Sequence, residues 1–584
     1  MPEDDQFVQK RLLLACVISA VAITVYTFFA RPVAPVVAPE TGAELVTAEP
    51  FSDPFGEETP SAALEPAAAP GTQAAESEQE IVVESDTFVV RFSNRGAVVT
   101  SWVLKGYVHA TVPGEIRESG NGKPLDLVHA GGAESHGYPF GLALSGGQPV
   151  GEINQALFVV DNGLSHRFAP ATVSFEYSDG VHTVRKSFRF EAEGYLVEIT
   201  SEVAENGEAR SHLLTWPGGF GDTAQPDDQM YSTTFYYDPS LRELLRNEAS
   251  DLADDPTTNI GPYPYVGIDD SFFTAAFMPL GSEMTVQLES SGVAIEPIAT
   301  GTEAMFAALA VGGAEKNQLR LFVGPKSYDT LASVRPELRE IVNLGFAWSM
   351  FRWLSFLPES IYWMLRWTHD YVGVNYGWAI ILVTIFLNFV MLPLKWKSSR
   401  SMKRMQALQP LIKQINEKYK GLGLRDPKKA KQQEETMALY KKYGANPMGG
   451  CLPMLLMMPF FFAFYKVLRV AIEMRQEPWL WVADLSLPEQ IPLRVLPLAM
   501  VASQFWMQSL TPTPGTDPAQ MRLMKFMPLM MGFVFYGFSS GLVLYWLTSN
   551  VVGVLQQLLL NRLPSEPIEI ERPKGRRKKK RPHN

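Results

Sequence analysis

The sequence predicts an α-helical polytopic membrane protein of six transmembrane helices, with a large all-β domain outside the membrane and a basic helical hairpin in the cytoplasm. Three observations carry this: separated charge-free apolar windows, a lopsided placement of Lys and Arg, and period-two alternation confined to one stretch. The windows are Leu12 to Ala30, Tyr371 to Leu394, Pro447 to Tyr465, Val495 to Thr516 and Phe526 to Asn561. Each reaches the roughly 18 to 20 residues that a spanning helix needs. As one helix the last would be about 54 Å long, against a hydrocarbon core of about 30 Å. A break at Ser539, Ser540 and Gly541 divides it, which brings the total to six spans.

Orientation follows from the cations, because Lys- and Arg-rich loops stay in the cytoplasm. Residues 395–446 hold 14 Lys or Arg against 4 Asp or Glu, whereas residues 31–377 hold 20 against 47. The formal net charge of −11 averages these unlike halves. The first span is read as a retained anchor and not a cleaved signal peptide, since its apolar run is long and lacks a small-residue cleavage site. Cys16 and Cys451 are the only cysteines, and both lie in membrane segments, so no disulfide framework supports the outer domain.

The expected order is a cytoplasmic N-terminus (1–11), the anchor (12–30), a disordered tether (31–80) and a β-sandwich (81–330). An interfacial amphipathic helix region (335–370) leads into the second span (371–394), the cytoplasmic hairpin (395–446) and the third span (447–472). An outer loop (473–490), the fourth span (491–510), an inner loop (511–524), two short spans (525–538 and 541–561) and a basic tail (562–584) complete it. The tether is rich in Ala, Pro, Glu and Thr and lacks the large apolar residues a core needs. Strands are expected around Phe88, Val90 and Phe92, around Val184, Phe188 and Phe190, and around Leu319, Leu321 and Val323, where apolar residues alternate. Asp254, Asp255, Asp269 and Asp270 read as a solvated acidic surface. Between Phe346 and Trp378, 11 of 33 residues are aromatic, which suits a membrane interface. In the hairpin, Met402, Met405, Leu408, Ile412, Ile415 and Tyr419 give one apolar face to a helix over 396–420, with a second helix over 428–443.

No Walker A loop, Gly-x-Ser-x-Gly or His-Glu-x-x-His pattern occurs, and the eight histidines show no metal-ligand spacing. No cofactor, metal or enzymatic activity is expected. A secondary transporter would carry internal repeats and an ion site at the bilayer midplane. Neither a repeat nor a carboxylate in a charge-free span is present. A sugar-modifying role for the β domain would rest on fold analogy alone.

Residues 446–453 read Asn, Pro, Met, Gly, Gly, Cys, Leu, Pro, followed by Met458, Pro459, Phe460, then Ile472, Glu473, Met474, Arg475 and Asp484, Leu485, Ser486. Further marks are Tyr371 to Thr384, Leu408 to Pro410, Asp517 and Pro518 with Met527 and Pro528, and Ser540 to Tyr545. With Asn94 to Tyr107, Val266 to Pro279 and Phe322 to Tyr328, these resemble the YidC/Oxa/Alb family of membrane-protein insertases, in its Gram-negative form. The resemblance spans about residues 81 to 562. It implies a periplasmic β-supersandwich, five core helices around a groove open to the cytoplasm and inner leaflet, and a location in the bacterial inner membrane with both termini cytoplasmic. It also implies a role in inserting and folding membrane proteins without covalent catalysis, alone or with the Sec translocon.

An insertase needs polar groups at membrane depth and a surface tolerant of many apolar clients. The candidate groove residues are Thr384, Asn388, Gln504, Gln508, Ser549 and Asn550. A client slide is expected from Met454, Met457, Met458, Met527, Met530 and Met531, because unbranched thioethers repack readily. Bacterial relatives usually carry a basic residue where Asn388 stands. Lys395, two turns further on, is the candidate substitute. Cytoplasmic docking of ribosome or translocon is expected from Lys395, Lys397, Arg400, Lys403 and Arg404. Arg572, Lys574, Arg576, Arg577, Lys578, Lys579, Lys580 and Arg581 are expected to bind ribosomal RNA or anionic lipid by charge alone. The outer domain, with no recognisable site and a flexible tether, is expected to be largely dispensable for insertion.

Overall fold

The computed structural model describes residues 72–109, 123–144, 148–222, 232–280, 285–295, 304–344, 354–419, 427–444, 452–491, 493–511 and 518–562. The expected anchor, most of the tether and the basic tail lie outside these residues. The chain divides into two compact units, residues 62–400 with 448–566, and residues 401–447 with both chain ends.

In the first unit the β domain grows from the alternation seen in the sequence. Phe88, Val90, Phe92, Val184, Phe188, Phe190, Leu319, Leu321 and Val323 are each no more than 1 % exposed. They sit in strands Phe88–Ser93, His182–Phe190 and Lys316–Pro325. The strands form sheets of five, ten and six strands. One apolar core joins all three, with Phe88 and Trp102 from the five-stranded sheet, Phe188 from the ten-stranded and Trp216 and Leu309 from the six-stranded. Register is pinned by buried cross-strand pairs such as Val184 opposite Val203 and Phe188 opposite Ile199.

The acidic residues expected at the surface divide. Asp254 and Asp255 are exposed, but Asp269 and Asp270 are 0 % and 5 % exposed. Arg246 Nη1 and Lys326 Nζ lie 2.6 and 3.1 Å from Asp269 Oδ2. Asp270 accepts backbone N–H bonds from Asp222, Phe272 and Phe273 at 2.8, 2.7 and 2.6 Å. The expectation failed because the two cations are 23 and 57 residues from Asp269, beyond any local pattern.

Nine longer helices among the described residues are numbered here: α1 Phe356–Val372, α2 Tyr376–Val390, α3 Leu392–Ala407, α4 Gln409–Lys418, α5 Pro427–Lys442, α6 Leu452–Val470, α7 Val495–Leu510, α8 Pro518–Phe535 and α9 Ser540–Arg562. Helix α1 runs past the expected start of the second span. It stops where Gly373 takes a left-handed backbone (φ 69), a conformation that costs glycine little. The Asn375 side chain then caps α2, accepting from Gly377 N at 2.9 Å. On α1, Trp363, Trp367 and Tyr371 are exposed at i, i+4, i+8, and Ile361, Tyr362 and Leu365 are buried opposite.

The helix expected over 396–420 is two, α3 and α4, divided at Leu408. Pro410 lacks the N–H an unbroken helix would need there, so the axis is interrupted just before it. In the second unit, Met405, Leu408 and Ile412 are buried against Leu439, Tyr440 and Tyr443, and Lys418 Nζ meets Glu435 Oε1 at 2.6 Å. The inner loop expected over 511–524 is helical from Pro518. The last apolar window is interrupted between Phe535 and Ser540. Among the described residues α9 alone is long and apolar enough to cross a membrane, and α1 and α2 form a pair bent by 119°. Helix α2, with 15 residues, is about 22 Å long and continues within one residue into α3.

Lys186 is buried in the β domain, and its Nζ donates to Gly96 O, Ala97 O and Phe140 O at 2.7, 3.3 and 2.7 Å. The three ammonium donors thus hold together strand ends from different sheets. Burial lowers its pKa to about 7. Between that value and its unfolded value near 10.5 the unfolded chain binds the extra proton, so this group makes stability rise with pH across the window. Lys186→Met should remove that slope and cost about 2 to 3 kcal/mol through the orphaned carbonyls, measured by urea unfolding at pH 7 and pH 9.

Candidate functional site

Helices α2, α7 and α9 bring most of the candidate groove residues together. Thr384 and Asn388 are four apart on α2 and both are buried. Thr384 Oγ1 donates to Ile380 O at 2.6 Å, and Asn388 Nδ2 donates to Thr384 O at 2.9 Å and towards Ser549 Oγ of α9 at 3.4 Å. Lys395, at the start of α3, reaches back, and its Nζ lies 2.6 Å from Asn388 Oδ1 and 3.0 Å from Gln556 Oε1. Gln556 closes the ring by donating from Nε2 to Asn388 O at 3.0 Å. No carboxylate forms an ion pair with Lys395 among the described residues, so amide oxygens alone hold its ammonium.

A second polar contact lies between α9 and α7, where Asn550 Nδ2 donates to Ser503 Oγ at 3.0 Å and Ser503 Oγ donates to Met500 O at 2.7 Å. Gln504 and Gln508 are half-buried on α7, and Gln504 Oε1 is out of water without a hydrogen-bond partner among the described residues. Ser503, not Gln504, meets Asn550. Sequence reasoning overlooked Ser503 and Gln556. For Gln556 the signal was helical spacing, since it is seven residues after Ser549, two turns on the same face.

Of the methionines, Met458 on α6 and Met527 and Met530 on α8 are exposed, while Met531 is half-buried. The side chains of Met454 and Met457, although on α6, lie outside the described residues. Phe526, Leu529, Phe533 and Val534 extend the exposed apolar face of α8. Lys397 and Arg400 are exposed on α3, Arg400 lying 4.9 Å from the Trp396 ring, and Lys403 and Arg404 are half-buried further along it. The cationic tail from Arg572 to Arg581 lies outside the described residues.

The loop between α6 and α7, marked in the sequence only by the resemblance at Ile472 to Arg475 and Asp484 to Ser486, is where three helices begin. The first N–H groups of a helix lack partners within it and need acceptors, most of all out of water. Tyr376 N of α2 donates to Glu477 Oε1 at 3.3 Å, and Asn375 Nδ2 donates to Pro478 O. Leu496 N of α7 donates to Glu489 Oε2 at 2.7 Å. Ser540 N and Gly541 N of α9 donate to Leu487 O and Leu485 O at 2.7 and 2.9 Å. Both carboxylates also stand where the helix dipoles favour negative charge. Gly377 is required at the contact, because a Cβ there would come within 2.1 Å of Trp479 Cδ1. Tyr362 OH of α1 donates to Glu473 Oε1 at 2.7 Å.

Two family descriptions match the chain, "60Kd inner membrane protein" over residues 367–566 and "YidC periplasmic domain" over residues 80–363. A protein of Syntrophus aciditrophicus named "Membrane protein insertase YidC" is 31 % identical over 575 residues, covering 95 % of this chain and 99 % of that relative. One of the same name from Pelobacter propionicus is 29 % identical over 581 residues, 96 % of this chain and 100 % of its own length. Another from Wolinella succinogenes reaches 45 % over 242 residues, 41 % of this chain and 42 % of that relative.

The cap on α2 gives a direct check of the loop's role. Asn375→Ala should destabilise the protein by about 1 kcal/mol, seen as a lower midpoint of thermal unfolding in detergent.

Proposed function

This chain belongs to the YidC/Oxa1 family of membrane insertases, non-catalytic proteins of membrane-protein biogenesis, in the inner-membrane form with a periplasmic domain, and from that membership we propose that it inserts clients along the polar cluster of α2, α7 and α9. The observation that carries the reading is Lys395 Nζ held by Asn388 and Gln556 with no ion-pair partner among the described residues. A cation kept without a counter-ion attracts an anion. A client segment bearing an acidic residue would otherwise face about 2.5 to 3.5 kcal/mol at the bilayer centre on insertion scales. Lys395 offsets part of that cost from the cytoplasmic end, and the amides of Asn388, Gln504, Gln508 and Asn550 with the hydroxyl of Ser549 offer neutral hydrogen bonds along the path.

The exposed methionines of α6 and α8, with Phe526, Leu529 and Phe533, supply an adaptable apolar surface for the client's non-polar face. Six spans with cytoplasmic termini fit the same reading, because α2, α7 and α9 all leave one loop by their N-termini, as alternate spans of a serpentine chain do. Nascent membrane proteins are the clients, with or without the Sec translocon. The basic residues of α3 and the tail from Arg572 to Arg581 draw ribosome and anionic lipid.

Lys395→Met should slow insertion of a client with an acidic translocated segment about tenfold and leave a charge-free client within about twofold, measured in depleted cells or proteoliposomes. Asn388→Arg combined with Lys395→Asn returns the cation to the α2 position and should recover most of the loss. Equal slowing of both clients by Lys395→Met would rule out the charge reading. Removing residues 572–581 should lower ribosome co-sedimentation at low salt and make no difference at high salt. An unchanged low-salt result would leave the tail with no docking role.

A further inference from the structure

Gln556 was not a candidate from the sequence, yet its side chain decides where the Lys395 charge sits. It is 5 % exposed on α9, and its amide is fixed at both ends. Asn388 lies in the last turn of α2, where carbonyl groups look outside the helix for donors, and Gln556 Nε2 supplies one to Asn388 O at 3.0 Å. A carbonyl can only accept, so the NH2 end of the amide faces α2 and its oxygen is left facing the ammonium. Gln556 Oε1 then accepts from Lys395 Nζ at 3.0 Å, and Asn388 Oδ1 accepts from the same nitrogen at 2.6 Å.

The lysine is thereby folded back along its own chain. Lys395 follows Asn388 by seven residues, about 10 Å of helical rise, but its ammonium lies against the Asn388 side chain. A long aliphatic stem ordinarily carries such a charge the other way, towards water at the cytoplasmic end. Two neutral amide oxygens hold it back. An ammonium has three donors, and the third has no partner among the described residues. The chemistry of the holder matters. A carboxylate at position 556 would pair with the ammonium and lose the N–H given to Asn388 O, whereas an apolar side chain would let the ammonium go. Gln557 is turned to another face and bonds within α9, its Nε2 donating to Asn561 Oδ1 at 3.0 Å.

We propose that Gln556 is a specificity-determining residue of the cluster: by holding the Lys395 ammonium at the depth of Asn388 with one N–H to spare, it sets the position along a client segment at which an acidic residue is accepted. This rests on the cluster of α2, α7 and α9 being the insertion path. The Lys395 charge favours acidic clients, and Gln556 decides where in the client the carboxylate lies.

The test uses the full chain in proteoliposomes and one client whose translocated segment carries a single Asp, moved along it in steps of about one helical turn. Insertion per folded insertase is scored as the ratio of each Asp client to the Asp-free client, a ratio that a general loss of packing does not move. The wild-type ratio should peak at one position. Gln556→Met should move the peak towards the cytoplasmic end by about two turns and lower the ratio at the original position about threefold. Gln556→Glu should flatten the profile, about tenfold down at the peak as in Lys395→Met, whereas Gln557→Glu, with the same charge on another face, should keep the wild-type profile. On a Lys395→Met background Gln556→Met should change nothing further, since no ammonium remains to be held. An unmoved peak in Gln556→Met, or equal effects of Gln557→Glu and Gln556→Glu, would overturn the proposal. A further loss in the double variant would overturn it too, because Gln556 would then act through packing. A wild-type profile without a peak would overturn it together with the charge reading of Lys395.

Discussion

Backbone N–H groups at the start of a helix must find acceptors, and where water is excluded they must find them in the protein. That requirement shapes the helical part of this chain. Three helices meet it against one loop, which supplies Glu477 to α2, Glu489 to α7 and the carbonyls of Leu485 and Leu487 to α9. The approach is close enough that only glycine fits at position 377, under Trp479. Once the starts are fixed, the rotation of each helix about its axis decides which side chains meet further along. Thr384, Asn388, Ser503, Asn550 and Gln556 then turn inward together.

The interior so formed combines a half-buried cation with neutral amides and, among the described residues, lacks the carboxylate that would silence the cation. A closed salt bridge at Lys395 would lock the helices and leave nothing for a client. Amide oxygens from Asn388 and Gln556 orient the ammonium without neutralising it. The exposed face of α8, with Phe533 87 % exposed, offers an apolar surface of the opposite character. Insertion of varied segments needs both, since a client presents polar and apolar residues in turn.

Much of this was legible in the sequence, where geometry is local. Period-two alternation located the strands around Phe88, Val184 and Leu319, because a strand face repeats every second residue and one face is buried. The spacing of Thr384 and Asn388 placed both on one face of α2. Contacts between distant segments left no such trace. The cations beside Asp269 are 23 and 57 residues from it, so composition alone made this acid look like surface. Gln556 was missed although its seven-residue spacing from Ser549 was readable, because only packing shows which face of α9 turns inward. The break at Leu408 was signalled by Pro410, but the apolar row from Met402 to Tyr419 ran through it and masked the interruption.

The central claim is that clients pass the inward face of α2 and α9, and site-specific photo-crosslinking to a stalled nascent membrane protein tests it most directly. A photoreactive residue at Ser549, beside Asn388 in the cluster, is compared with one at Phe386, on the opposite and exposed face of α2. Strong client adducts from Ser549 and few from Phe386 are the predicted result, and adducts from Phe386 with none from Ser549 would contradict it.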